Sequence, residues 1–339
     1  MTMKETKIEK MYQKVEKNLD EIEGTMLYFL WVTEYNKSEY YLVVLIDKIG
    51  FVKERFWRMS IQIIVDSCCD TTPTLRNAME FKIAPLTVSA GPSSFLDDGN
   101  LPIAALLTAM KSSKEPATSA CPSPESYAEL MRQSDKSIVV TLSSKLSGSY
   151  NSAVVAKNMV LEDSPEKEIY VLDSRSASAG QLRIALLLRQ WIDGGVEFSE
   201  LVKKAEAFLT GMKTFFVLED LSNLVKNGRI SRVAGIMGTM LSIRPIMGEN
   251  GKGEIIQLDK VRGTQNAMNR LVEIVAEHLR KMQTASQTMI ISYCNCSQRA
   301  MELKEAFLKR CPALQDVILV PAGGVSTVYA NDGGIVLAV

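Results

Sequence analysis

The sequence predicts an α/β protein with two domains: an N-terminal, mainly parallel sheet covered by helices, and a C-terminal α/β domain with some antiparallel strands. At 339 residues, the chain is longer than one hydrophobic core usually serves. From residue 61 onward, short β-branched apolar runs alternate with segments of helical periodicity, as in parallel sheets buried on both faces. Near Ser174 this alternation gives way to two long helical patterns, so we place the domains at 61–175 and 176–339.

Residues 1–60 are predicted to be an N-terminal extension. Met1–Glu23 has the pattern of a charged amphipathic helix, and charged residues separate the apolar patches Met26–Val32 and Tyr41–Ile46. These patches are too short to span a bilayer, and the pattern of a signal peptide is missing. Because Met59 precedes a typical buried first strand, one hypothesis is that residues 1–58 are upstream sequence outside the native protein. The alternative is a helical interaction segment.

In the first domain, short apolar runs predict strands at Ile61–Val65, Ile83–Val88, Ser137–Leu142 and Glu168–Leu172. Helical periodicity predicts helices at Pro73–Glu80, Pro102–Lys111, Ser123–Gln133 and Ser149–Leu161. Ligands of open parallel sheets bind at the carboxyl ends of the strands. The loops after the first and third strands should therefore share one rim.

The second domain is predicted to contain long helices and a mixed sheet. Helices are expected at Ala177–Ile192, Phe198–Met212, Thr264–Lys281 and Gln298–Lys309. Strands are expected at Phe215–Leu218, Ile243–Met247, Glu254–Leu258, Thr288–Ser292 and Val317–Val320. The turn Glu249–Gly253 indicates that two of these strands form an antiparallel pair.

Composition excludes several classes of function. The 39 basic and 39 acidic residues balance, and no basic run indicates a nucleic-acid partner. The six cysteines lack the spacing of zinc or disulfide frameworks, which is typical of a reducing cytoplasm. His278 is the single histidine and lies near the end of a predicted helix, so catalytic triads and histidine-rich metal sites are not expected. We expect no metal and no cofactor.

Hydroxyl-rich loops are the first candidate site. They contain Ser67, the pair Thr118–Ser119, and the segment Ser143–Ser149 with Ser147 and Gly148. Hydroxyls and free backbone N–H groups before a helix can hold an anion, such as a carboxylate or a phosphate, without a basic side chain. The alternative is that serines such as Ser149 only cap helices.

The segment Val233–Met247 is the second candidate feature. Met237, Met240 and Met247 are spaced around glycines, a combination that lines adaptable apolar cavities. The segment could line a tunnel for an alkyl chain, or it could be ordinary hydrophobic core.

An ordered set of motifs resembles the DegV family from about Ile61 to Val339. The motifs are Ile64–Ser67 with Asp70, Thr118–Pro124, Leu142–Ala153, Val171–Ser174, Leu218–Leu221, Asn227–Ser231, Ile243–Ile246 and Lys260–Arg262. The resemblance implies a carrier without its own catalytic residues, which holds a long-chain fatty acid between two domains. It also implies that a separate ATP-using kinase subunit phosphorylates the bound carboxylate.

Site residues follow from the same resemblance. The carboxylate would be held by Ser147 and by Thr118 or Ser119, with Gly148 and Ser67 beside them. The position of Pro122 favours Ser119 over Thr118. Met237, Met240 and Ile243 would line the acyl-chain tunnel.

The chain departs from the family where other members carry histidines. It has Tyr293 in one such segment and no histidine in Ala330–Gly334. Arg229, Arg232, Arg244 and Arg262 could serve a phosphate or the kinase, or they could be solvated surface residues.

Two other functions remain open from the sequence. One is an acyl-directed serine hydrolase or transferase using Ser147 or Ser149, and the other is a lipid sensor without a kinase partner.

Overall fold

The computed structural model describes residues 61–230, 242–282 and 287–339, and the backbone of 29–35, 38–46 and 52–58. Two compact units, Met1–Met59 and Ser60–Val339, make up the chain. In the first unit, β1 (Phe29–Tyr35), β2 (Ser38–Ile46) and β3 (Val52–Arg58) form an antiparallel sheet in the order β1-β2-β3. The helix predicted for residues 1–23 lies outside the described residues.

The first half of the second unit contains a parallel sheet and a small antiparallel sheet. Its elements are β4 (Gln62–Asp66), α1 (Pro73–Met79), β5 (Lys82–Ala84), β6 (Thr87–Ala90), β7 (Ser93–Leu96), α2 (Ile103–Ser112), β8 (Thr118–Ala120), α3 (Pro124–Met131), β9 (Lys136–Thr141), α4 (Ser149–Asp163) and β10 (Glu168–Asp173). The parallel sheet has the order β10-β9-β4-β5, and the antiparallel sheet has the order β7-β6-β8.

The strand predicted at Ile83–Val88 is in fact two strands in different sheets. β5 belongs to the parallel sheet, whereas β6 is the centre of the small sheet. Pro85 lies between them and has no N–H for a ladder hydrogen bond, so the strand is interrupted at that point.

The second half of this unit is built on a six-stranded sheet. Its elements are α5 (Ala179–Asp193), α6 (Phe198–Gly211), β11 (Thr214–Val217), α7 (Ser222–Lys226), β12 (Ile243–Glu249), β13 (Ile255–Arg262), α8 (Thr264–Met282), β14 (Gln287–Tyr293), α9 (Ser297–Arg310), β15 (Leu314–Pro321), α10 (Gly324–Ala330) and β16 (Ile335–Ala338). The order is β13-β12-β11-β16-β14-β15, and only β14 and β15 are parallel.

These sheets confirm the predicted fold class, a parallel sheet followed by an α/β region with antiparallel strands. The sequence patterns did not predict β7, β8, β16, α7 or α10. Each of these elements has at most seven residues, too few for a clear period.

The parallel sheet is buried on both faces. Ile63 and Val65 of β4 pack with α5 and α6, whereas Ile64 between them packs on the opposite side with Tyr127 of α3. Successive side chains of a strand point to opposite faces, which explains the continuous apolar run. The core around α5 also includes Ile290 of the six-stranded sheet, so α5 contributes to the cores of both sheets. The domain boundary at 175/176 stays a prediction.

Candidate functional site

A pocket lies within the second unit. Half of its lining residues are apolar or thiol side chains: Cys68, Leu86, Leu142, Leu146, Ala177, Phe216, Leu218, Leu224, Ile255, Val325, Ala330 and Val336. They come from both halves of the unit, so the wall forms only when the two halves pack together.

Strand β11 shows why one wall is apolar. Thr214 and Phe216 of β11, and Leu218 just after it, line the pocket because alternate side chains of a strand share a face. Val336 of β16, directly opposite Phe216 in the ladder, lines it as well. At about 3.3 Å per residue, the distance from Thr214 to Leu218 is about 13 Å along this wall.

Four polar residues form what we call the polar end of the pocket: Ser119, Ser147, Arg229 and Tyr329. Ser119 of β8 pairs with the buried Val88 of β6, whereas its neighbour Thr118 is exposed. The Ser119 hydroxyl lies 2.9 Å from the Tyr329 hydroxyl. The pair joins β8 to α10, positions 210 residues apart in the sequence.

Ser147 lies on the tight loop between β9 and α4. The backbone N–H groups of Leu146 and Ser147 both donate to the carbonyl of Ser143, and the Ser147 hydroxyl accepts from the N–H of Ser149 at 3.2 Å. Gly148 is the N-cap of α4 and supplies no side-chain cap. The positive end of the dipole of this 15-residue helix therefore lies beside Ser147.

Gly148 also allows a close approach between two loops. A Cβ at this position would lie 3.3 Å from Sγ of Cys121, in the segment that follows β8. The loops carrying Ser119 and Ser147 are therefore neighbours.

Arg229 brings a positive charge to the polar end. Its Nε donates to the carbonyl of Leu146 at 3.0 Å, next to Ser147, and one terminal nitrogen donates to the carbonyl of Asn227 at 2.5 Å. Its guanidinium carbon lies 6.0 Å from the ring centroid of Tyr329. In the described part of the chain no carboxylate forms an ion pair with Arg229, so its charge is available to an anionic ligand.

Not all predicted site residues line the pocket. Ser67 is buried behind the wall, where its hydroxyl accepts the N–H of Leu86 at 3.0 Å and so positions a lining residue. Thr118, Gly148 and Ile243 are not lining residues. Their roles remain predictions.

The other predicted arginines and methionines lie away from the pocket lining or outside the described residues. Arg262 is exposed, and its Nε donates to the Ser242 hydroxyl at 3.2 Å, away from the pocket lining. Arg232, Met237 and Met240 lie outside the described residues.

Ser149 occupies a buried network centred on Asp66. Its hydroxyl donates to the Asp66 carboxylate at 2.7 Å and lies 2.6 Å from the Tyr127 hydroxyl. Asp66 also accepts from Gln181 at 2.8 Å, and its complete burial raises the pKa of its carboxyl. Ser149 is not a lining residue, so it cannot meet a ligand in the pocket.

Among the described residues, no general base forms a hydrogen bond with Ser147. Its only hydrogen-bond partner in the described part of the chain is the N–H of Ser149. His278 packs against Phe215, with ring centroids 5.7 Å apart, and does not line the pocket. The polar end can therefore hold an anion, but it lacks the activating contact that a serine nucleophile requires.

Two further buried aspartates hold the halves of the unit together. Asp70 accepts from the hydroxyls of Ser178 and Ser292, both at 2.5 Å, and from the N–H of Gly323 at 2.8 Å. Burial raises the pKa of the Asp70 carboxyl. Asp97 accepts the N–H groups at the start of α10, and burial raises the pKa of its carboxyl too. Sequence reasoning missed these roles, because the partners of each aspartate are distant in the chain.

Neither a metal site nor a membrane span is found in the residues that the structure describes. No three of their His, Cys, Asp and Glu side chains cluster as metal ligands would. None of the helices among them is both long and apolar enough to cross a bilayer.

Comparison with known sequences gives a match over the whole second unit. Residues 60–339 match the model of the DegV family, whose description is that of uncharacterised proteins. A DegV domain-containing protein of Streptococcus pyogenes serotype M18 is 34% identical over 283 residues, covering 82% of this chain and 99% of that protein.

Solved structures of similar proteins contain fatty acids. A DegV family protein from Ruminococcus gnavus, solved with vaccenic acid, is 39% identical with a TM-score of 0.78, covering 83% of this chain and 100% of that one. The Fatty Acid Kinase (Fak) B3 protein of Streptococcus pneumoniae, loaded with linoleic acid, is 32% identical with a TM-score of 0.74, covering 82% of this chain and 98% of that one.

Proposed function

Because the chain belongs to the DegV family, we propose that it binds one long-chain fatty acid in the pocket and presents the carboxylate to a separate kinase subunit. The observation that carries the proposal is the pocket itself. Half of the residues that line it are apolar or thiol side chains, and its polar end holds an arginine that has no ion-pair partner among the described residues. This combination suits a ligand with an alkyl chain and one anionic group.

The alkyl chain supplies most of the affinity. Burying about 14 methylenes at about 0.8 kcal/mol each releases on the order of 11 kcal/mol before the costs of ordering the ligand. The side chains of Phe216, Leu218 and Val336 offer the apolar contacts for part of that chain. Met237, Met240 and Ile243 are further candidates for this tunnel.

The polar end sets the orientation of the ligand. The carboxylate would accept from the hydroxyls of Ser119 and Ser147 and lie beside the guanidinium of Arg229, with the α4 dipole adding to the attraction. Hydroxyl and guanidinium donors leave carboxylate lone pairs free. An oxygen of the bound acid can therefore still attack a phosphoryl group.

Native mass spectrometry of the purified second unit, with extraction of any co-purified lipid, tests the binding step. We expect one fatty acid per chain, or uptake of one added hexadecanoate. A lipid-free protein that also refuses fatty acids from twelve to about twenty carbons would overturn the proposal.

The kinase step rests on the similarity to the Fak B3 protein and needs its own test. Incubation with ATP, a fatty acid and a fatty-acid kinase subunit from the same cytoplasm should give acyl phosphate, trapped as its hydroxamate, only when both proteins are present. Tight fatty-acid binding without acyl phosphate would instead favour a lipid sensor or store.

A further inference from the structure

The pocket has a second group of polar residues, at the end of the β11 wall that lies away from the polar end. Leu218 packs in the same apolar cluster as Tyr329, so the Leu218 end of the wall adjoins the polar end. Thr214 lies at the other end of the wall, about 13 Å away at about 3.3 Å per residue. Four polar residues line this part of the pocket, and we call them the far end: Arg175, Ser176, Thr214 and Glu249.

Hydrogen bonds and chain neighbours hold the far end together. The hydroxyls of Ser176 and Thr214 lie 2.6 Å apart, and Arg175 precedes Ser176 in the chain. Lys213, which precedes Thr214, donates from Nζ to the Glu249 carboxylate at 2.7 Å. Ser176 and Thr214 are buried, and only 10% of the Glu249 side chain is exposed. These polar groups therefore meet the pocket rather than bulk solvent.

Both cations at the far end are ion-paired. Arg175 pairs with Glu206 at 3.2 Å, and Lys213 pairs with Glu249 at 2.7 Å. Arg229 at the polar end, in contrast, has no ion-pair partner among the described residues. The far end therefore has no uncompensated positive charge to attract a second carboxylate. It suits an uncharged polar group, since a hydroxyl can both donate and accept a hydrogen bond.

We propose that the far end is a binding site for a hydroxyl group on the acyl chain, so that the pocket accepts ω-hydroxy fatty acids of matching length. This inference rests on the proposed function, because the carboxylate must lie at the polar end. Two hydroxyls carry four acceptor lone pairs, and the mutual bond of Ser176 and Thr214 occupies one of them. A ligand hydroxyl can donate to Thr214 or to the Glu249 carboxylate, and the Arg175 guanidinium can donate to it.

The length of the β11 wall sets the expected chain length. An extended chain advances about 1.2 Å per bond, because the three backbone bonds of a residue span about 3.3–3.6 Å. The distance of about 13 Å from Leu218 to Thr214 therefore corresponds to about eleven bonds. The hydroxyl of an ω-hydroxy acid with about 12–14 carbons should reach the far end. On a shorter chain it stays in the apolar part, where a hydroxyl without a partner costs affinity.

The test is isothermal titration of ω-hydroxy acids of ten to sixteen carbons, each compared with its unsubstituted parent. The full-length wild type should bind the hydroxy acid of about 12–14 carbons within about threefold of its parent, or more tightly. The double variant Ser176→Ala/Thr214→Val should lose about tenfold in affinity for that hydroxy acid and less than about threefold for the parent. Replacing both partners of a hydrogen bond by apolar groups of similar shape can be nearly neutral for folding.

Two controls sharpen the test. Thr141→Val removes the hydroxyl of a buried threonine of β9 outside the pocket lining, so it should not change the preference between hydroxy acid and parent. Dodecanedioate carries a second carboxylate in place of the hydroxyl, and it should bind more weakly than 12-hydroxydodecanoate. Tighter binding of the dicarboxylate would contradict the paired charges of the far end.

The outcomes separate this inference from the proposed function. If wild-type protein binds the parent acids but binds the hydroxy acid more than about threefold more weakly at every length, the far-end site is refuted and the carrier function stands. The same holds if the double variant loses hydroxy acid and parent by the same factor. If wild-type protein binds no fatty acid, both are refuted. Should the double variant melt far below Thr141→Val, the single variant Thr214→Val must show the selective loss for the inference to hold.

Discussion

Arg229 should supply the charge that holds the ligand, and its replacement by glutamine tests this directly. At about 4 Å and an effective dielectric constant of about 20, an arginine attracts a carboxylate by about 4 kcal/mol. Arg229 is only half-buried, so solvent screens part of this attraction. We expect a net loss of about 1.5–3 kcal/mol, the range for a hydrogen bond to a charged group, or roughly 10- to 150-fold in Kd.

The assay is isothermal titration of hexadecanoate into wild-type protein, Arg229→Gln, Arg229→Lys and the control Lys226→Gln. Lys226 is an exposed cation on α7, three residues away and outside the pocket lining, so its loss changes the net charge by the same amount. The lysine variant keeps the charge but loses the Nε bond to the Leu146 carbonyl. It should bind more tightly than the glutamine variant.

One result would refute this reasoning. If Arg229→Gln binds hexadecanoate as tightly as Lys226→Gln does, Arg229 is not a ligand of the carboxylate. If the variant binds hexadecanoate normally but no longer supports acyl-phosphate formation, Arg229 contacts the phosphate or the kinase instead of the carboxylate.

Three further predictions follow from the structure. Ser147→Ala should weaken hexadecanoate binding about tenfold or more in calorimetry, because a donor to a charged oxygen is lost, while Ser144→Ala, exposed on the same loop, should not. Gly253→Ala should lower the free energy of unfolding, measured in urea, by at least about 1 kcal/mol more than Gly251→Ala does. Both glycines have positive φ, but only at Gly253 would an added Cβ lie within 3.0 Å of another residue. For Asp66 the folded-state pKa is raised by burial, so the stability of wild type relative to Asp66→Asn should be greatest below the unfolded pKa of about 3.9 and fall as pH rises through the folded pKa. A relative stability that rises between pH 4 and 7 would contradict the desolvation of this carboxyl.

The local sequence pattern was sufficient to predict most of the helices and strands of the second unit. The strand predicted at Ser137–Leu142 is β9, Lys136–Thr141, and the helix predicted at Thr264–Lys281 is α8, Thr264–Met282. Runs of this length contain enough residues to show their period. Short elements such as β8 contain too few residues to show a period. The break at Pro85 could not be predicted either, because it separates strands that belong to two different sheets.

The candidate site, too, could be predicted only in part from the sequence. The sequence was sufficient to identify the loops that contain Ser119 and Ser147 as candidate anion-binding segments, since hydroxyls before a helix can hold an anion. The sequence did not show which hydroxyls face the pocket. Ser119 lines the pocket, Ser67 supports its wall, and Ser149 bonds Asp66 in the interior. A side chain's direction depends on the register of its strand and on the element packed above it.

The sequence by itself determined the fold class, the apolar strands of the parallel sheet and the hydroxyl-rich rim, because these depend on residues close together in the chain. Only the tertiary structure decided that Arg229 and Tyr329 join Ser119 at one end of the pocket, and that Asp70 and Asp97 anchor the helix that carries Tyr329. Those contacts link positions more than 80 and up to 253 residues apart. No local period encodes them, since they arise only when separate sheets pack and each buried carboxylate finds its donors.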